Sequence, residues 1–267
     1  MLPRLAFASL FVAAAHAHRL AAHVSQRHPP VRCSSAPDIS FTTGTWQTLQ
    51  KHLDTLPVFT CVNEDGEPLG YERDGEQLAI YFSDVDRAKL ELETMGEKFP
   101  TLGLRLIGVG LGDVFRQHTE GRALLVPSQE ALAGAGDDWD SETLPLYTCL
   151  SMSSKAPEGS GLPAGVSSTP LFLCPKDAQA SLQAALEAAK ASGASEAALQ
   201  QLQLVCTSMP TAVELVLSGK EKETCGDRFQ FVAPRSSLFF LREQQQKRSF
   251  ASQVDDSRSG GGLLFPS

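Results

Sequence analysis

LPVFTC, residues 56–61, returns about 88 residues later as LPLYTC, residues 144–149. Each is a short apolar run with β-branched or aromatic side chains, opened by Leu-Pro and closed by Thr-Cys, and reads as a strand. Three more pairs follow in the same order. IYFSDVDRAKLEL from Ile80 is echoed by LFLCPKDAQASLQ from Leu171. LRLIGVGLGDVF from Leu104 is echoed by LQLVCTSMPTAVEL from Leu202, and RALLVPSQEAL from Arg122 by FQFVAPRSSLF from Phe229. Four ordered matches predict a duplicated unit, with insertions where the spacing drifts from about 88 to about 107 residues.

Each half then reads strand, strand, helix, strand, short helix, strand, helix. The expected fold is α/β (mixed α+β), with two pseudo-twofold-related repeats, each a small sheet packed with helices. The first repeat is placed at residues 41–136 and the second at 137–242. Residues 243–267 are polar and low in complexity and are predicted to be a disordered tail. MSSKAPEGSGLPAGVS, between residues 151 and 168, reads as a loop insertion.

The first long helix is expected to begin near Ser83, with Asp86 three residues on in a variant capping box. Val85, Ala88, Leu92, Met95 and Phe99 share one face, and Pro100 stops the helix. Its counterpart begins at Pro175, carries the stripe Ala178, Leu182, Ala185 and Ala189, and ends at Gly193. Trp46, Leu49, Leu53 and Leu56 predict a short amphipathic helix ahead of the first half, and Trp139 stands ahead of the second. The stripes are expected to face the sheets; the competing reading is a groove for a partner.

The N-terminus is an address. MLPRLAFASLFVAAAHA, residues 1–17, reads as a secretory signal peptide, with one Arg, a short apolar core and the small-residue cleavage pattern Ala15-His16-Ala17 just before His18; a buried first helix or strand is the alternative. Residues 18–40 contain a basic stretch, free of acids up to Asp38 and rich in Ser, Ala, His and Pro, with the composition of a transit peptide. The formal net charge of the chain is −8. Without the leader's Arg4, Arg19, Arg27 and Arg32, 19 basic residues face 31 acids, or −12. So acidic a body repels phosphate backbones and argues against a nucleic-acid partner. No apolar run approaches the roughly 18 residues a membrane span needs.

Catalytic motifs are lacking. Four of six His belong to the leader, and His52 and His118, expected at the surface, form no zinc pattern. Nothing resembles a nucleophile elbow, although scattered residues could still make an enzyme. Gly108, Gly110 and Gly112 tempt a phosphate-loop reading, but the spacing is wrong and no Lys or Ser/Thr completes it. The corresponding place in the second half reads Cys206-Thr207-Ser208-Met209-Pro210, so the fold itself is not expected to need the glycines. Beyond Cys33 there are five Cys, with no C-x-x-C. Cys61 and Cys149 hold the same repeat position and read as buried apolar side chains, with a disulfide the alternative. No catalytic residue, metal ligand or cofactor-binding residue is assigned, and no cofactor is expected.

The motifs LPVFTCVNEDGEPL, AIYFSDVDRAKLEL, LRLIGVGLGDVF and LLVPSQEAL, in this order and echoed in the second half, resemble the Tic twenty-two-kilodalton family, a component of the translocon at the inner envelope membrane of chloroplasts. The resemblance runs from about residue 49 to 244. Arg87 stands between the expected Asp and Ala, and residues 112–115 replace a more basic, Tyr-bearing stretch. With a signal followed by a transit-like segment, the chain looks like an algal complex-plastid member, although His18 stands where such leaders often carry Phe; plain secretion is the alternative. The resemblance implies a soluble, non-enzymatic import factor in the envelope intermembrane space. It would bind preproteins and transit peptides in chaperone fashion between the outer and inner translocons, with peripheral membrane association allowed. An exported enzyme or a scaffold without clients is the rival reading. Leu238, Phe239 and Phe240, three bulky residues after the last strand, are the candidate client contacts; simple burial is the competing account.

Overall fold

The computed structural model describes residues 39–73, 75–155 and 167–259. The cleavage residues Ala15, Ala17 and His18, and most of the loop insertion, lie outside them. The first described helix, α1 (Gly44–Leu53), forms where Thr43 caps it by accepting the Trp46 N–H, and it buries Trp46, Leu49 and Leu53 as the spacing predicts.

There follow β1 (Pro57–Val62), β2 (Gly70–Arg73), β3 (Glu76–Phe82), α2 (Val85–Lys98), β4 (Arg105–Gly110), α3 (Leu111–Thr119), β5 (Ala123–Val126) and α4 (Gln129–Ala135). The second half runs β6 (Pro145–Thr148), β7 (Ser154–Lys155), β8 (Ser167–Phe172), α5 (Pro175–Ala191), α6 (Glu196–Gln200), β9 (Val205–Ser208), α7 (Met209–Leu217), α8 (Glu221–Cys225), β10 (Arg228–Val232) and α9 (Arg235–Ser259).

Two sheets result, with the same order and sense of strands. In the first, β1 pairs antiparallel with β4 on one side and β3 on the other. The far edge of β3 is shared: β2 runs antiparallel along its start and β5 parallel along its end, with Phe82 opposite Val126. In the second, β6 lies between β9 and β8, and β8 takes β7 antiparallel and β10 parallel.

Both repeated motifs are buried through their length, β1 and β6 alike. Alternation along the strands then divides the core. Val58, Leu144, Leu146, Leu171 and Leu173 turn into one central cluster, with Trp46 and Leu53 of α1, Leu111 and Phe115 of α3, and Met209 and Val213 of α7. On the outer face of the first sheet Phe59 and Phe82 meet Val85 and Ala88 of α2. On that of the second, Tyr147, Cys149 and Phe172 meet Ala178, Leu182, Ala185 and Ala189 of α5, so the predicted stripe does face the sheet.

The outermost helices are exchanged between the halves. Ala131 of α4 joins the outer cluster of the second sheet, where Tyr147 Oη donates to the Ala131 carbonyl. Phe240 and Leu241 of α9 pack on the outer cluster of the first.

Several boundaries differ from the sequence reading. The cap of α2 is Asp84, not Ser83: Ser83 is buried, and Asp84 Oδ1 accepts the N–H groups of Asp86 and Arg87 at 3.0 and 2.9 Å. The stripe on α2 runs out before Phe99, which is half exposed and lies beyond the helix as its C-cap. The division at 242 falls inside α9, which runs unbroken to Ser259, since nothing after Ser237 breaks a helix before Gly260. Ile39, placed in the leader, packs against the central cluster, and Phe41 meets Trp46 edge-on at 4.7 Å.

Candidate functional site

Because β5 runs parallel to β3 and β10 parallel to β8, the helices that follow these four strands start close together. Their starts line a cleft of about 290 Å³ where the two halves meet, built from Asp84, Asp86, Arg87 and Leu90 of the α2 segment, 128–130 at α4, Cys174 before α5, and Pro234 and Ser236 at α9.

The orphan N–H groups of a helix start need acceptors. Asp84 serves α2, and Ser128 Oγ accepts the Ala131 N–H of α4 at 3.0 Å. The two halves also serve each other. Buried Ser237 of α9 accepts the Val85 N–H across the halves at 3.3 Å, while within the second half Asp177 of α5 accepts the Arg235 N–H at 2.8 Å. Lys176 bridges to Glu130 at 2.7 Å, tying α5 to α4.

The cleft wall thus carries three carboxylates, Asp84, Asp86 and Glu130, against one guanidinium, Arg87. Arg87 leans toward Glu91, 3.9 Å away, and Lys89 lies 3.7 Å from Asp86. Asp84 Oδ2 is buried, and among the described residues no donor reaches it. Burial pushes the Asp84 carboxyl above the usual aspartate range; the N–H groups of Arg87 and Asp86 pull it back, while the charges of Asp86 and Glu130 push it up again.

Leu238, Phe239 and Phe240 point three ways. Leu238 packs against the central cluster. Phe240 stands edge-on to Phe59, with centroids 5.8 Å apart, and the Lys89 ammonium lies 5.1 Å from its ring. Only Phe239 of the three is open to solvent, at 63%. It sits three residues, nearly one helical turn, beyond the cleft residue Ser236, and so on the same side of α9. Leu90, 51% exposed, lines the cleft from α2. Sequence reasoning missed Leu90 and Asp84, although Asp84 is the first polar residue able to cap a helix before Val85.

The other candidates resolve into structural roles. Gly110 and Gly112 are required by the approach of α1: a Cβ on Gly112 would come within 2.7 Å of the Gln50 carbonyl, and one on Gly110 within 2.8 Å of the Asp54 Cα. The Asp113 N–H at the start of α3 donates to Asp54 Oδ1 at 3.1 Å, so a carboxylate of the chain itself occupies the place a phosphate would take. In the second half Ser208 caps α7 instead. The expectation that the fold does not need these glycines is therefore wrong.

His118 is half buried rather than on the surface, and its Nδ1 accepts the Leu125 N–H at 3.3 Å. Cys61, Cys149, Cys174, Cys206 and Cys225 are free thiols, and burial holds those of Cys61 and Cys206 up at about 11. Among the described residues no group of three or more His, Cys, Asp or Glu is placed to hold a metal ion, and no helix is long and apolar enough to cross a membrane.

Solved structures share this architecture. "Tic22 from Plasmodium falciparum" matches 74% of this chain and 98% of its own length, with a TM-score of 0.54 and 17% identity. "Anabaena Tic22 (protein transport)" matches 74% of this chain and 96% of its own, with a TM-score of 0.52 and 15% identity. This chain has a Tic22-like fold. No protein-family model matches it, and no curated protein matches it by sequence. At such identities the Tic22 likeness resides in backbone path, which the paired sheets and exchanged helices define, and the mixed α/β expectation holds.

Proposed function

We propose that the protein is a plastid protein-import factor of the envelope intermembrane space, which binds preproteins reversibly on their way between the outer and inner translocons. The observation that carries this reading is the likeness to two Tic22 structures over nearly their whole lengths, one of them titled as a protein of protein transport. The acidic body adds a physical reason: targeting segments are basic, and complementary charge speeds and orients their encounter. Large side chains left exposed, Tyr71, Leu90, Phe99 and Phe239, offer apolar contact to an unfolded client. Its role is that of a carrier rather than an enzyme. The leader would deliver the protein to a complex plastid, with cleavage between Ala17 and His18.

The test is a titration of labelled transit peptides against the chain from residue 39 onward, at rising salt. Micromolar binding that weakens severalfold between 50 and 300 mM salt is expected, because screening blunts the charge contribution. A folded protein that binds no transit peptide would favour a scaffold without clients. Immunogold microscopy of the tagged full-length chain checks the location; label outside the plastid would favour secretion.

A further inference from the structure

β4 is an edge strand that the fold leaves open. It pairs with β1 alone, without a bulge, from Pro57 opposite Gly110 to Val62 opposite Arg105. Just past the strand, the Leu111 N–H donates to the Leu56 carbonyl at 2.9 Å, and this fixes the alternation. Arg105, Ile107 and Val109 turn their backbone groups toward β1, and Leu106, Gly108 and Gly110 turn their N–H groups away. Among the described residues nothing accepts those three N–H groups. Gly108 is exposed and has no side chain to screen the edge.

The other edges are short, charged or covered, the usual ways in which a fold prevents stray pairing. The His118 ring stands against the outer side of β5, where its Nδ1 accepts the Leu125 N–H at 3.3 Å. β2 has four residues and carries Glu72 and Arg73. β9, which holds the place of β4 in the second sheet, also has four, β7 has two, and β10 has five in a parallel pairing. β4 has six residues, none of them Pro or Lys, and its one charge, Arg105, stands at its start.

Donors at every second residue of a strand, roughly 7 Å apart, are met by the carbonyls of another extended backbone. Such pairing draws its affinity from the main chain rather than from side-chain identity, which suits a carrier of many clients. A second copy of the chain is hindered by α9. Leu241 sits over Gly108, 3.1 Å from the place of a Cβ, and Arg242, Glu243 and Gln245 beyond it are exposed. The helix thus leaves the sheet beside β4 and continues to Ser259, about 27 Å past Leu241. It leaves room for one strand but stands in the way of a whole body.

We propose that the open edge of β4 takes up an extended segment of an unfolded client as an added strand of the first sheet. The client's carbonyls accept the N–H groups of Leu106, Gly108 and Gly110. The proposal rests on the client-binding reading and deepens it: the client is held by its main chain, at one strand of the fold.

The probe is a peptide with the sequence of residues 18–28, HRLAAHVSQRH, free of acids and of Pro. Two further peptides keep its side chains but carry N-methyl groups at every second residue, one in each register, which blocks pairing along one edge of the strand. The protein is the chain from residue 39 onward, which keeps every described residue, and amide hydrogen exchange is read by NMR. In the free protein the Leu106, Gly108 and Gly110 amides should exchange fast and those of Ile107 and Val109 slowly. Saturating peptide should slow the first three about tenfold or more and leave the other two as they were. At least one of the methylated peptides should bind about tenfold more weakly, the scale of a few lost main-chain hydrogen bonds.

Binding that leaves the three amides unprotected would overturn the edge and leave client binding standing, as would equal affinity for all three peptides. Protection of the three amides that grows with protein concentration, without peptide, would give the edge to a second copy and overturn the proposal. No binding of any peptide to the folded chain would bring down the client reading together with the edge.

Discussion

Asp84 does two jobs with one carboxylate. Oδ1 holds the start of α2, and Oδ2 is buried without a donor. Its carboxyl is raised above the usual aspartate range, by burial first and by Asp86 and Glu130 after it. A raised acid favours the fold in its protonated form: that contribution is fully present below the unfolded value, near 3.9, and is lost as pH rises through the folded value. Above the folded value the charged carboxylate is therefore a liability, which asparagine lacks while still capping. Asp84→Asn is expected to melt at a higher temperature than the unaltered chain at pH 7. The gap should close as the pH falls toward about 3, where both are uncharged at this position. Melting curves across that window decide it, and a gap that widens toward acid would contradict the assignment.

Between α1 and α3 the packing is close enough that glycine identity matters. Gly112→Ala should push α3 off the Gln50 carbonyl and Asp54, costing about 1–3 kcal/mol. Gly96, in the last turn of α2 with nothing within 4 Å of a Cβ, should gain about 0.5–1 kcal/mol as alanine, because only the unfolded chain loses freedom. Urea melts of the two variants should move in opposite directions; parallel shifts would mean that the approach of α1 to α3 is not as drawn. The sequence carried the elements themselves well. Leu182 and Ala185 fall on the buried side of α5 because periodicity follows from local geometry. It could not carry the reason for Gly112, since the atom that excludes a Cβ belongs to a helix about 60 residues earlier. For the same reason Leu238, Phe239 and Phe240 could be recognised as unusual but not sorted: their three environments come from the central core, solvent and the first sheet. Asp84 was legible as a cap in principle, but its second oxygen became informative only once Glu130 and Asp86 were seen beside it.

The two halves share too much to stand apart. The central cluster draws Val58, Leu111 and Phe115 from the first and Leu146, Leu171, Leu173 and Met209 from the second, so separation would expose the inner faces of both sheets to water. The outer faces depend on exchange as well. Phe59 of the first sheet is covered partly by Phe240 of α9, and Tyr147 of the second holds the Ala131 carbonyl of α4. Removing either half strips its partner on both sides, and a fully buried Leu or Phe left in water forfeits about 1.5–3 kcal/mol. Marginal folding free energies of about 5–15 kcal/mol cannot absorb several such losses. Separate fragments spanning residues 39–142 and 143–247 should each lack a cooperative melt and bind a hydrophobic dye, and mixing them should restore structure. In the intact chain, Trp46 lies in the shared cluster, 1% exposed. With Trp139→Phe removing the other indole, Trp46 fluorescence and far-ultraviolet circular dichroism should report one coincident urea transition. Two resolved transitions, or a fragment that folds alone with native-like dispersion in its NMR spectrum, would show instead that each sheet carries its own core and that the cleft between them can open without unfolding either.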